Sequence, residues 1–284
     1  MLRKVKKYLK GNLSQDGAGV KLRRMFGYHD LNEFDPFLLL DFFDSTDPAD
    51  YLKGFPWHPH RGIETITYLI EGEIDHGDSL GNKGAIKSGQ CQWMKAGSGI
   101  IHQELPQESN LMLGVQVWLN LAADDKMSKP EYGDLSADKI TTYQDSKKTV
   151  HILAGEFANQ KGPIQREKTN PTFLDVELTA ESEFNYQLPA EQQVFAFLIR
   201  GKANFEVNSE KFVEKPTIVL YESGTEIKVK TAEEKARFFL IAGQKLAEPV
   251  AWGGPIVMNS REELVIASRE LDNNSFIKTE AELD

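Results

Sequence analysis

The 284 residues amount to about two domains at roughly 150 residues each, and 40% hydrophobic with 27% charged is an ordinary globular composition. This excludes collagen, coiled coil and wholesale disorder, and a formal charge of −10 argues against direct binding to nucleic-acid backbones or anionic lipid surfaces. A single cysteine, Cys91, excludes an internal disulfide, so a cytoplasmic protein is expected, with the nucleus added for a eukaryotic source.

The chain opens on MLRKVKKYLKGN, which is basic but lacks the apolar core of a signal peptide, and it reads as a first strand with a solvated basic face. The longest strongly apolar run, PFLLLDFF at Pro36–Phe43, is broken by Asp41 and is far shorter than the roughly 20 residues of a membrane span. Strand signals then dominate: ETITYLIEG, LGVQVWLNL, TFLDVEL, VFAFLIRG, TIVLYES, TEIKVK and ARFFLIAG are β-branched or aromatic runs separated by Gly, Pro, Asn and Asp. Between Leu121 and Lys148 the chain is polar, which suits a surface connection and places a boundary near residue 140. The expected organisation is all-β, with domains at 1–140 and 141–284. Near the end, Ser260 and Glu263 form a capping box opening a short helix, with Leu264, Ile266 and Ala267 as its apolar stripe.

The two halves repeat a strand–Gly–strand pattern, at Glu64–His76 and Gln193–Phe205. Aligning Gly72 with Gly201 sets Gln187 and Pro189 against His58 and His60. Aligning Gly97 with Gly224 sets Val229 and Thr231 against His102 and Glu104. The second half lacks the ligand-type side chains of the first.

Three of the six histidines fall in two short clusters, HPHRG at His58–Gly62 and GSGIIHQE at Gly97–Glu104. In an extended segment residues i and i+2 share a face, so His58 pairs with His60, and His102 with Glu104. Two such pairs on neighbouring strands supply three imidazoles and a carboxylate, a mixed set suited to Fe(II), Ni(II), Cu(II) or Mn(II), with octahedral positions left open. Gly97 and Gly99 suit a tight turn leading into the second pair. Glu64 stands at an even offset from both His58 and His60, and spacing alone does not separate it from Glu104. His29, His76 and His151 stand alone and read as surface or packing residues. Cys91 reads as filling a small apolar site, and Trp93 and Met94 as core or pocket wall.

The ordered series DPFLLLDFF, GFPWHPHRGIETITYLIEGEIDH, GQCQWMKAGSGIIHQELP, LGVQVWLNL and KMSKPEY, with GPIVMNSREEL near the end, resembles the pirin family of the cupin superfamily. The likeness is strong through Leu121 and weaker beyond. It implies a bicupin, two stacked jelly-roll β-barrels with a short C-terminal helix, of which only the N-terminal barrel holds metal. The family's ligands map to His58, His60, His102 and Glu104, which favours Glu104 over Glu64. Phe42 and Gln103 depart from the animal protein, where an acidic and a small residue stand, and are expected to alter the pocket mouth.

The resemblance implies one divalent transition metal, iron(II) first, with Ni, Cu, Mn or Zn as alternatives. It implies a quercetinase-type dioxygenase that opens a flavonol ring with O2 and releases CO, Glu104 serving as ligand or base. The alternative is an iron-binding, redox-sensitive regulator acting through protein–protein contacts. A monomer acting on a small aromatic substrate is expected, without nucleic acid or membrane as partner.

Overall fold

Short runs of alternating or fully apolar residues between turn formers produce a chain whose regular structure is mostly antiparallel strand, and the computed structural model describes residues 1–206 and 208–279. The chain divides into two compact units, each considered by itself. No helix among the described residues is long and apolar enough to cross a membrane.

The unit that carries the histidines comprises Asn12–Glu33, Phe37–Ala137 and the chain from Leu246 onward. Its strands are β1 (Asn12–Asp16), β2 (Val20–Phe26), β3 (Phe37–Ser45), β4 (Phe55–His60), β5 (Ile63–Glu71), β6 (Glu73–Asp78), β7 (Lys83–Lys87), β8 (Cys91–Lys95), β9 (Ile100–Pro106), β10 (Met112–Asn120) and β11 (Glu131–Leu135). Seven form one sheet in the order β11-β8-β5-β10-β3-β2-β1, and the other four form a second sheet in the order β4-β9-β6-β7. This is the two-sheet layout of a jelly roll. One apolar cluster gathers Phe43, Leu69, Ile74, Ile86 and Met112, and another Leu38, Ile63, Met94, Ile100 and Val257.

The second unit comprises Met1–Gly11, Phe34–Pro36 and Asp138–Lys245. Its main sheet runs Val5–Leu9, Thr217–Tyr221, Gln193–Ala203, Ala236–Gly243, Thr172–Leu178, Lys148–Ala154 and Thr141–Gln144 in that order, and Glu183–Gln187 pairs with Glu226–Lys230. Phe184, Leu198, Phe205, Val219, Val229 and Phe238 are buried in its core. Val229, set against His102 by the repeat, is therefore a packing residue. Thr231 caps a turn, donating to the Thr179 carbonyl at 2.6 Å and accepting from the Ser182 N–H at 3.0 Å.

The structure differs from a single division at residue 140, because each unit takes a terminal segment from beyond that point. Val5–Leu9 pairs with Thr217–Tyr221, covering a sheet edge that would otherwise stay open. The last segment belongs with the histidine-bearing unit, since Arg61, only 1% exposed, pairs with Glu270 at 2.7 Å and lies 4.2 Å from the centre of the Phe276 ring. A buried guanidinium requires partners, and the chain end supplies them. Residue 207 and residues 280–284 of the expected second domain lie outside the described residues.

The capping box forms as expected: Ser260 Oγ accepts from the Glu263 N–H, and Glu263 Oε2 accepts from the Ser260 N–H at 2.8 Å, opening the helix Arg261–Asp272. Its inward stripe is Leu264, Ala267 and Leu271, against Ile256, Met258 and Phe276. Ile266 is 51% exposed, which corrects the expected stripe: the i, i+3, i+7 series that starts at Leu264 passes it by.

Candidate metal centre

β4 and β9 run antiparallel with His58 opposite His102 and His60 opposite Ile100. Directly opposed residues share a face, and so do residues two apart on one strand, so all three imidazoles project from one side of this ladder. Beyond His102 the register slips and Glu104 comes to lie opposite Phe55, a bulge that re-aims the carboxylate. The turn into β9 needs its glycines: Gly97 has φ +48° and a Cβ there would fall 2.3 Å from the Ser128 carbonyl oxygen, while Gly99 has φ +140° and lies against Phe276.

The candidate ligand nitrogens of His58, His60 and His102 all lie within 4.8 Å of one another. His58 Nδ1 donates to the Pro56 carbonyl at 2.8 Å and His60 Nδ1 to the Pro255 carbonyl at 2.9 Å. A carbonyl only accepts, so each ring in its neutral form carries the proton on Nδ1, and the two Nε2 lone pairs then face each other at 3.1 Å. Two facing lone pairs repel unless a cation lies between them. Two nitrogens at 2.0–2.1 Å from one ion and at right angles stand roughly 2.9 Å apart, close to the separation found. His102 Nε2 is buried and makes no hydrogen bond, an unpartnered ring nitrogen in the same group. Burial, with His58 alongside, pushes the His60 imidazole down to about 3, and burial holds His102 well below the ordinary range, so both rings are neutral. The donor set therefore fits a metal ion, with a carbonyl fixing two of its rings in the manner of metal-ligating histidines.

Glu104 is buried in the same barrel but outside the three-histidine group. Its carboxylate accepts from Gln116 Nε2 at 2.9 and 3.1 Å and from Thr67 Oγ1 at 3.4 Å. Trp118 Nε1 donates to Gln116 Oε1 at 3.0 Å, which fixes the amide with its nitrogen toward Glu104. Glu64, opposite Lys95 on β8, stands an odd number of residues from Thr67 on β5 and so projects from the face away from Glu104.

A cavity of about 700 Å³ is lined by His58, His60, Glu104 and Gln116, by Trp118, Trp252 and Tyr28, and by Arg24 and Asp41. Neither Phe42 nor Gln103 lines it, contrary to expectation, because each alternates with a cavity residue on its own strand, Asp41 and Glu104. Gln116, Trp118 and Arg24 were not singled out from sequence. The signal for the first two was present in LGVQVWLNL, where a Gln and a Trp two residues apart share a face of an otherwise apolar strand.

His76, read as a surface or packing residue, is buried on β6 opposite Glu104 and bonds Tyr132 Oη and, at 3.3 Å, Asp134. Gln92 donates to the same Tyr132 Oη at 3.0 Å. His29 is exposed against Tyr28, and His151 hydrogen-bonds at 2.9 Å with Thr142 Oγ1, opposite it on the neighbouring strand. Cys91, Trp93 and Met94 are buried, and burial pushes the Cys91 thiol far up.

A two-sheet β-barrel with converging histidines at its inner ladder, followed by a second β-unit, defines a cupin-fold protein with a metal-type centre. Within that class the chain belongs to the pirin family. Residues 19–119 match the family model described as Pirin, and residues 173–277 match the Pirin C-terminal cupin domain. The chain is 40% identical to "Putative quercetin 2,3-dioxygenase PA3240" of Pseudomonas aeruginosa, over 92% of this chain and 93% of that protein. It is 38% identical to a pirin-like protein of Caulobacter vibrioides, over 97% and 99%. The solved structure of a quercetin 2,3-dioxygenase from Acinetobacter baumannii superposes with a TM-score of 0.87 at 29% identity, covering 97% of this chain and 99% of that one.

Proposed function

We propose that the chain is a metal-dependent dioxygenase of the quercetinase type, opening the central ring of a flavonol with O2 and releasing CO. One divalent transition ion, iron(II) first among the candidates, is held by His58, His60 and His102 with Glu104 as the carboxylate ligand. The observation that carries this reading is the facing pair of imidazole nitrogens, at 3.1 Å, in an aromatic-walled cavity that a buried carboxylate also lines. The names borne by the relatives point the same way.

When bound, the ion supplies Lewis acidity toward the substrate's oxygens and redox exchange with O2. The rest belongs to the chain. Trp118 and Trp252, 5.9 Å apart between ring centres, offer flat apolar surface to a planar substrate. Glu104 accepts the proton of the substrate's 3-hydroxyl at its carboxylate oxygen, making the ring electron-rich before O2 reacts. Gln116 and Thr67 hold that carboxylate by donors that cannot themselves take the proton away. The second unit contributes no ligand in this reading, since Gln187, Pro189, Val229 and Thr231 stand where the first has three histidines and a glutamate.

The test is metal-analysed protein assayed with quercetin in air and under argon. Stoichiometric O2 uptake and CO release supports the dioxygenase. Full metal loading without turnover overturns it in favour of a redox-sensitive regulator.

A further inference from the structure

The cavity carries a charged group that the proposed reaction leaves unused. Arg24 on β2 donates from Nε to Asp41 Oδ1 at 2.9 Å and from Nη2 to Asp41 Oδ2 at 2.8 Å. Nη2 also reaches Asp16 Oδ2 at 2.7 Å, and Nη1 takes no part in these bonds. The Asp41 side chain is 7% exposed, that of Arg24 32% and that of Asp16 49%, and all three line the cavity. A buried carboxylate gripping the Nε–Nη2 edge of the fork fixes the plane of the guanidinium and leaves the Nη1 N–H groups to something else.

The strand register states how far this group lies from the histidine end. Arg24 is opposite Asp41, and Asp41 is opposite Gln116, the residue that holds Glu104. Two strand spacings are roughly 10 Å, about the reach of a molecule of two or three aromatic rings. Between the ends the floor is apolar: Trp118 and Leu39 oppose each other on the neighbouring strands and line the same cavity. One guanidinium against two carboxylates leaves excess negative charge, which disfavours a carboxylate or phosphate ligand. A neutral hydroxyl suits the group, accepting from Arg24 Nη1 while donating to Asp16.

We propose that Arg24, clamped by Asp41 and Asp16, is a specificity-determining residue that recognises a phenolic hydroxyl on the part of an aromatic substrate farthest from the three histidines. This rests on the reading of the cavity as a flavonol site.

The experiment compares quercetin with 3-hydroxyflavone, which keeps the 3-hydroxyl and 4-carbonyl but lacks the outer hydroxyls. Binding is read by quenching of tryptophan fluorescence and turnover by O2 uptake. The wild-type protein is expected to prefer quercetin by about ten- to a hundred-fold, the range for a hydrogen bond to a charged group. In Arg24→Met/Asp41→Leu, which leaves no unpaired buried charge, the ratio of the two affinities falls to near one. Should that variant fail to fold, Arg24→Lys decides, since it keeps the ion pair, loses the fork and must also lower the ratio. A wild-type ratio near one, or a ratio unchanged in the folded variants, overturns the role of Arg24 while turnover of both flavonols leaves the dioxygenase standing. If metal-loaded wild type neither binds nor turns over either compound, both readings fall.

Discussion

His60 Nδ1 donates to the carbonyl oxygen of Pro255 at 2.9 Å, joining a candidate ligand to a residue 195 positions later. The neighbouring Arg61 extends this tie, donating to the carbonyls of Ser98 at 2.7 Å and Phe276 at 3.0 Å. The segment that holds Pro255 and Phe276 is thus part of the scaffold around His60 and Arg61.

Phe276→Ala tests that tie. Removing a buried phenyl costs about 3–5 kcal/mol and also strips the cation–π cover from Arg61. Denaturant melting should show the loss, and metal retention against a competing chelator should fall about ten- to a hundred-fold, as for loss of a ligand's supporting contact. Unchanged retention in a destabilised variant means the segment adds stability without orienting His60.

Metal analysis should give one equivalent per chain, lost in His58→Ala/His102→Ala. Chelation of the wild type should lower its melting temperature, because an ion at a hundred times its dissociation constant adds about 2.7 kcal/mol. Two specific equivalents, or full retention in the double variant, contradict the assignment.

Gln187→Ala/Thr231→Ala should keep metal content and quercetin turnover within a small factor of wild type. Thr231→Ala alone removes a hydroxyl that bonds Thr179 and Ser182, so a loss of about 1–3 kcal/mol in stability is expected. Loss of turnover at unchanged melting temperature points to a functional site in that unit.

Gln116→Leu leaves Glu104 without its nearest donor. A hydrogen bond to a charged group contributes about 1.5–3 kcal/mol, so kcat should fall about ten- to a hundred-fold, with Glu104→Gln impaired at least as far and Glu64→Gln serving as the control. Turnover lost in Glu64→Gln but kept in Glu104→Gln assigns the carboxylate to the other residue.

Lys126, 1% exposed, donates to the Gly62 and Val257 carbonyls at 2.9 Å each and to Asn120 Oδ1 at 2.7 Å. Burial pushes its ammonium down to about 8 from 10.5. Between those values the unfolded chain binds the extra proton, so stability rises with pH across the window; below pH 8 the burial cost is fully felt. Against Lys126→Met, the wild type should gain up to about 3 kcal/mol from pH 8 to 10.5. A relative loss over that range means the three oxygens outweigh burial.

The β-rich class, the helix opened at Ser260 and the pairing of His58 with His60 follow from local rules: alternation, capping and the two-residue period act between neighbours in the chain. The same period could not choose between Glu64 and Glu104, since both stand at even offsets within their own motifs. In the folded chain Thr67, three residues beyond Glu64 on β5, faces Glu104 across the barrel, a relation between two sheets that no local rule reaches. Whether His76 is surface or packing is not legible locally, because polar neighbours hide its strand, which is recognisable only from its pairing with β7 and β9. The exchange of terminal segments was equally out of local reach, because an open sheet edge and a buried guanidinium acquire their partners from whatever part of the chain the folded topology brings to them.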